Sequence, residues 1–230
     1  MEKEISKYLV VDASGLDPIR YSIKSGWMKM EDINKFLESG KIQICITNSA
    51  LQCGEFSYSE TPDLFTHNII NSGTNSSVYI KDEKVLKRGI SFWLTSNGTI
   101  TLDQSLSKNG LEFSVFNTTS GTLSDCSKLS VPDKSAISLA RYLLNIKKTA
   151  ILVHDKKIRK QARCKKISFY GSASFLAGMA ISRIYAYQKA TRLYYKWKNQ
   201  DKRWIPNKMN FKEVLGIEKL RFQKGESFWL

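Results

Sequence analysis

The chain has 230 residues and a hydrophobic content of 42%, enough for an ordinary core in one elaborated domain and too much for global disorder. Its net charge of +15 is unevenly divided: residues 1–133 carry 13 Lys+Arg against 16 Asp+Glu, whereas residues 134–230 carry 23 against 5. A basic half of this size points to a polyanionic partner, nucleic acid first; the plainer alternatives are a Lys-rich solvated surface or, less favoured, a membrane surface.

The first element is a short apolar strand over 8–11, and Asp12-Ala13-Ser14-Gly15 follows it as a strand-to-loop turn. Residues 30–38 have the spacing of a helix with Ile33, Phe36 and Leu37 on its buried face, stopped by Gly40. A second strand is predicted over 42–47, with Asn48 or Ser49 capping a short helix after it. Residues 61–129 are rich in Ser, Thr, Asn and Gly. Turn signals there separate strand-like runs at 77–81, 90–94, 99–102 and 111–116, the pattern of an antiparallel meander.

Alternation of strand and helix resumes at Val131. A helix is predicted over 133–146, buried through Ala136, Ile137, Ala140, Leu143 and Leu144. A strand over 150–153, a basic helix over 156–164 and a strand over 167–170 follow. One long helix then runs from Ser172 to Tyr187 or on through Trp197, and a last short helix covers 211–215. This order predicts an α/β fold: a three-layer α/β/α domain with a mostly parallel central sheet. The domain is discontinuous, built from 1–60 and 130–230, with 61–129 as a β-rich insertion.

The cysteines Cys45, Cys53, Cys126 and Cys164 form no C-x-x-C pair, which argues against zinc and for free thiols in a reducing, cytoplasmic compartment. No signal-like apolar segment opens the sequence, and the longest mostly apolar run, 173–181, is too short to span a bilayer, so no membrane association is expected.

Chemistry concentrates on three carboxylates. Asp12 follows the first strand, Asp133 opens a helix after Pro132, and Asp155 ends the strand Ile151-Leu152-Val153. Each has an ordinary explanation, since Asp shapes turns and caps helices. Together, at the carboxyl edge of one parallel sheet, they make a set of hard oxygen ligands suited to Mg²⁺ or Mn²⁺. No Ser, Cys or His nucleophile with a partner is visible, which leaves metal-assisted hydrolysis. Lys156, Lys157, Arg159, Lys160 and Arg163 follow Asp155 directly and are suited to phosphate contacts, with Arg183 and Arg192 further along. Between Arg183 and Arg203 basic residues alternate with Tyr185, Tyr187, Tyr194, Tyr195 and Trp197; most of these aromatics are expected in the core, and any exposed ones are suited to base stacking. His154 is read as a strand-end residue rather than a ligand.

Four stretches carry a resemblance: Leu9 to Ser14, Asp133 to Ala140, Ile151 to Ala162, and Phe169 to Ser172 with Phe175-Leu176. In order and spacing they resemble the PIN domain, the fold of many metal-dependent ribonucleases, including toxins of prokaryotic toxin–antitoxin pairs. The resemblance implies an endoribonuclease using Mg²⁺ or Mn²⁺ held by Asp12, Asp133 and Asp155. It implies a further acid after the second strand, for which Glu55 is the candidate, and a Ser near the metal, matched by Ser14 and Ser172. RNA is the implied substrate, and an antitoxin-like or other protein partner is possible. Residues 61–129 have no counterpart in a minimal PIN domain. The alternatives are a catalytically silent nucleic-acid-binding module on the same fold and a protein defined by its partner.

Overall fold

The computed structural model describes residues 6–47, 69–71, 78–80, 92–96, 99–108, 111–116, 129–205 and 209–230. The elements in the first part are β1 (Lys7–Val11), α1 (Ala13–Lys24), α2 (Met30–Ser39) and β2 (Ile42–Thr47). Strands β3 (Ile69–Asn71), β4 (Val78–Ile80), β5 (Phe92–Ser96), β6 (Thr99–Lys108) and β7 (Leu111–Phe116) follow. The second part comprises α3 (Val131–Leu144), β8 (Lys148–Leu152), α4 (Lys156–Cys164), β9 (Ser168–Tyr170), α5 (Ser172–Ile181), α6 (Tyr187–Gln200) and α7 (Phe211–Gln223).

The fold is α/β. Strands β2, β1, β8 and β9 lie side by side and parallel, with Leu9 opposite both Ile44 and Ala150, and Ile151 opposite Phe169. The predicted meander joins this sheet: β7 pairs in parallel with β2, and β6 pairs antiparallel with both β7 and β5, giving the order β5-β6-β7-β2-β1-β8-β9. The hairpin β3–β4 stands apart as its own two-stranded ladder.

The central strands β1 and β8 end in unbroken apolar runs, Leu9–Val11 and Ala150–Leu152, because both faces of the sheet are covered there. Alternation sends Leu9, Val11, Ala150 and Leu152 to one side, where they join a core with Phe36, Phe175, Trp197 and Trp229. Val10, Ile151 and Val153 face the other side and pack on Ile137, Leu139, Ala140 and Leu143 of α3 and Ile158 of α4. Helices therefore lie on both faces of the parallel sheet.

Four local expectations are corrected. The segment after Asp12 is not a turn into a loop but the start of α1, a twelve-residue helix with Asp12 as its N-cap. Pro18, inside that helix, has no N–H to return to the Ser14 carbonyl, a cost of about 3 kcal/mol that the burial of Leu16, Pro18 and Ile19 must offset. The long helix from Ser172 is two helices, separated at Ser182–Ala186. Arg183 there adopts a left-handed conformation (φ 61°), which glycine usually supplies, so no sequence signal marks the break. Leu144 is exposed, and Leu139 takes its place on the buried face of α3. The last helix runs to Gln223 rather than ending at Leu215. The short helix predicted after Asn48 lies outside the described residues.

Gly15 brings α1 onto the sheet. A Cβ at this position would lie 2.4 Å from the Leu152 carbonyl oxygen and 2.6 Å from the Val153 nitrogen, both backbone atoms of β8 and its exit. Only a residue without a side chain lets the first turn of α1 pack so closely against the carboxyl end of β8.

Candidate active site at the carboxyl edge of the sheet

Because β1 and β8 are neighbouring parallel strands in register, Asp12 and Asp155 leave the sheet on the same edge. The Asp12 amide continues the ladder by donating to the Leu152 carbonyl (3.1 Å). Asp133 comes to this edge through α3, whose Ser135 hydroxyl donates to Thr47 Oγ1 (2.7 Å) at the carboxyl end of β2, the other neighbour of β1. Three chain segments distant in sequence thus bring an acid to the exit of β2, β1 and β8.

The three acids are not equivalent. Asp12 is buried; its Oδ2 accepts from the Ser14 amide (3.1 Å) and from the Ser14 hydroxyl. Burial pushes its carboxyl pKa up to about 6, against the pull of the Ser14 hydrogen bonds, and repulsion from Asp133 and Asp155 raises it further. Asp133 is half-buried at the third position of α3 and shares a capping box with Ser130, its Oδ2 accepting from the Ser130 amide (3.1 Å). Asp155 is exposed and caps α4, its Oδ1 accepting from the amides of Lys157 (2.6 Å) and Ile158 (3.2 Å). The ordinary capping role of each Asp is therefore real, and it leaves further carboxylate lone pairs for other partners.

Ser14 joins two of the acids. Its hydroxyl donates to Asp12 and accepts from the amides of His154 (3.0 Å) and Asp155 (3.3 Å). Ser172 is buried beneath this layer, donating to the Gly15 carbonyl (2.5 Å), and serves as a strut under α1 rather than as a group facing the cleft. His154 Nδ1 lies 3.2 Å from the Arg203 carbonyl, which can only accept, so Nδ1 carries the proton and Nε2 accepts from the Ser172 amide (3.0 Å). Burial and the nearby Arg159 hold the imidazole pKa down at about 4, against the pull of the Arg203 carbonyl. His154 is neutral and ties β8, α5 and the 201–205 turn together, the strand-end role expected of it.

A cleft of about 450 Å³ opens beside Ser14 and Asp155. Lys156, Lys157 and Arg159 line it as expected. Two further lining residues went unrecognised in the sequence, Asp17 and Trp204, while Arg203 closes the basic and aromatic segment already singled out there. Asp17 follows Ser14 by three residues on α1, so its position was legible only to a reading that made 13–24 a helix. Arg203 is bidentate with Asp201, Nε donating to Oδ1 (3.1 Å) and Nη2 to Oδ2 (2.7 Å), and the Arg203 amide also donates to Oδ1 (2.8 Å), which holds the turn that carries Trp204. Lys160, Arg163, Arg183 and Arg192 do not line the cleft. Arg163 instead lies over the Phe169 ring, and Arg183 and Arg192 are exposed at the start of the α5–α6 break and on α6. Of the aromatics between Arg183 and Arg203, Tyr185, Tyr194 and Trp197 are core, as expected, while Tyr187 and Tyr195 are exposed. Glu55 lies outside the described residues.

The donor set of Asp12, Asp133 and Asp155 is all hard oxygen, and the mutual repulsion felt at Asp12 is the field a divalent cation relieves; the residues fit Mg²⁺ or Mn²⁺ in chemistry. Among the described residues no three His, Cys, Asp or Glu side chains lie close enough together to hold a metal ion as they stand. Among the same residues, no helix is long and apolar enough to cross a membrane. In comparisons with known proteins, no family model, no curated protein and no solved structure matches this chain.

Proposed function

We propose that the chain is a metal-dependent nuclease of PIN type, with single-stranded RNA as its substrate. The observation that carries this reading is the convergence of Asp12, Asp133 and Asp155 on one sheet edge, where the buried Asp12 feels the charge of both others. Asp12, Asp133 and Asp155 would hold Mg²⁺ or Mn²⁺, which when bound supplies charge neutralisation and water activation for phosphodiester hydrolysis. Ser14 orients the Asp12 carboxylate and fixes the start of α4. Lys156, Lys157 and Arg159 attract and position the phosphate backbone along the cleft. The parallel sheet with helices on both faces, and the acid-bearing segments at 9–14, 133–140 and 151–162, support the PIN resemblance. An antitoxin-like partner for the strands of 61–129 belongs to that resemblance alone.

The test is cleavage of single-stranded RNA with Mn²⁺ by the wild type, Asp12→Asn and Asp155→Asn. Loss of an outer-sphere partner at a metal site costs roughly 10–100-fold, so loss of a ligand should cost at least about 100-fold. Equal rates in all three proteins reject the assignment. A second reading is favoured by the capping roles of Asp133 and Asp155 and by the open ligand set: a nucleic-acid-binding module without catalysis. Salt-sensitive RNA binding with no cleavage by any of the three proteins would select it.

A further inference from the structure

Behind the cleft lies a second, smaller cavity of about 200 Å³. It shares His154, Arg159 and Trp204 with the cleft and runs from there to α7. Drug-sized ligands occupy roughly 300–1,000 Å³, whereas ~150 Å³ already admits a benzene ring, so this volume suits a single ring system. Its walls include the aromatic rings of Phe169, Tyr194 and Trp204. It meets solvent at Ile217, which is 41% exposed, and at the 40% exposed side chain of Arg221.

Glu218 gives this cavity its chemistry. Its side chain is only 2% exposed, yet it lines the cavity. One oxygen, Oε1, accepts from Ser174 Oγ (2.8 Å) and Arg221 Nη1 (2.7 Å). The other, Oε2, is buried with no hydrogen-bond partner, and so is the Nε of Arg159, which also lines the cavity. Leaving such a group buried and unpaired forfeits its hydration without return, which a ligand with matching groups recovers. An acceptor and a donor between aromatic walls match a flat heterocycle whose ring N–H stands beside a carbonyl.

We propose that this cavity receives a nucleobase with a ring N–H next to a C=O, guanine or uracil, Glu218 Oε2 accepting from the N–H and Arg159 donating to the carbonyl. Adenine and cytosine lack that edge. The base comes either from a free nucleotide or from a strand lying in the cleft; the second source rests on the proposed nuclease reading, the first does not.

The experiment titrates the full chain, in EDTA, with each of the four nucleoside 5′-monophosphates, inorganic phosphate and a short single-stranded RNA, followed by calorimetry and tryptophan fluorescence. Saturable binding of GMP and UMP at least tenfold tighter than AMP and CMP is expected, with phosphate alone weaker than either. If G- or U-containing RNA alone shows this selectivity, the base belongs to a strand; if the mononucleotides suffice, the site takes free nucleotides. In Glu218→Gln the amide oxygen keeps the Ser174 and Arg221 contacts, and its NH₂ replaces the free acceptor. Guanine and uracil binding should then fall at least tenfold with the melting temperature retained. Asp12→Asn, which does not line the cavity, should bind bases as the wild type does even when cleavage is lost, so failure of the nuclease reading is separable. Absence of base selectivity, or equal binding by wild type and Glu218→Gln, overturns the proposal.

Discussion

Asp12 shows how a single carboxylate can be destabilising to the fold and useful to the site. Its pKa of about 6 lies above the ordinary 3.8. The folded state therefore binds its proton more tightly than the unfolded chain does. The resulting stabilisation is complete below about pH 3.8 and is lost as pH rises through 6. At pH 7.5 the charged form costs on the order of 3 kcal/mol, so metal-free Asp12→Asn should melt above the wild type there, with the difference shrinking as pH falls toward 4. His154 works in the opposite sense: its pKa of about 4 lies below 6.5, so its contribution is present above pH 6.5 and lost as pH falls through 4. The two slopes oppose each other between pH 4 and 6. Thermal melts across that range should be flatter for the wild type than for Asp12→Asn, which exposes the His154 slope alone. The residues of this site legible in the sequence were those at strand ends, Asp12, Ser14 and Asp155, because a strand exit fixes direction. His154 was correctly placed as a strand-end residue. Ser172 was legible as a neighbour but not as a strut, since its orientation depends on Gly15 from another element.

At the scale of elements, the first turn of α1 decides whether the edge assembles. Gly15 touches the backbone of β8, and no side-chain rearrangement can relieve a clash with backbone atoms. Gly15→Ala should cost about 3 kcal/mol or more, lowering the melting temperature by roughly 6–12 °C, and should reduce RNA cleavage even where the protein remains folded. Melting and activity measured on the same preparation check both effects. This turn was also where the sequence was hardest to interpret. Gly15 and Pro18 both count against a helix locally, and only tertiary burial of Leu16 and Ile19 makes one. With α1 unrecognised, Asp17 could not be placed on the cleft. The split between α5 and α6 was hidden for the opposite reason: an arginine fills the left-handed position, so the helical pattern runs through the break. The basic helix α4, by contrast, has a cap, a short amphipathic face and a clear end, and its bounds are those expected.

Over the whole molecule, alternating strands and helices with apolar runs at 8–11 and 150–153 made the parallel sheet legible. Continuation of that sheet through β7, β6 and β5 was not, because register between distant strands leaves no local mark. Charge asymmetry suggested a polyanionic partner but did not mark which cations share a cleft. Those lining the cleft are Lys156, Lys157, Arg159 and Arg203, while Lys160, Arg163, Arg183 and Arg192 lie elsewhere. Single-stranded RNA binding should therefore weaken steeply with salt. Lys156→Ala and Lys157→Ala should each lower the magnitude of the log K against log salt slope by about 0.7, whereas Arg183→Ala and Arg192→Ala should leave it nearly unchanged. Fluorescence anisotropy at several salt concentrations measures these slopes. Central to the proposed function is that the acids at the sheet edge act together as one cation site. Calorimetric titration of the metal-free full chain with Mn²⁺ at pH 7.5 tests this directly, comparing the wild type with the Asp12→Asn, Asp155→Asn double variant. Saturable binding by the wild type and its loss in the folded double variant is the expected result; indistinguishable Mn²⁺ isotherms for the two proteins would contradict it.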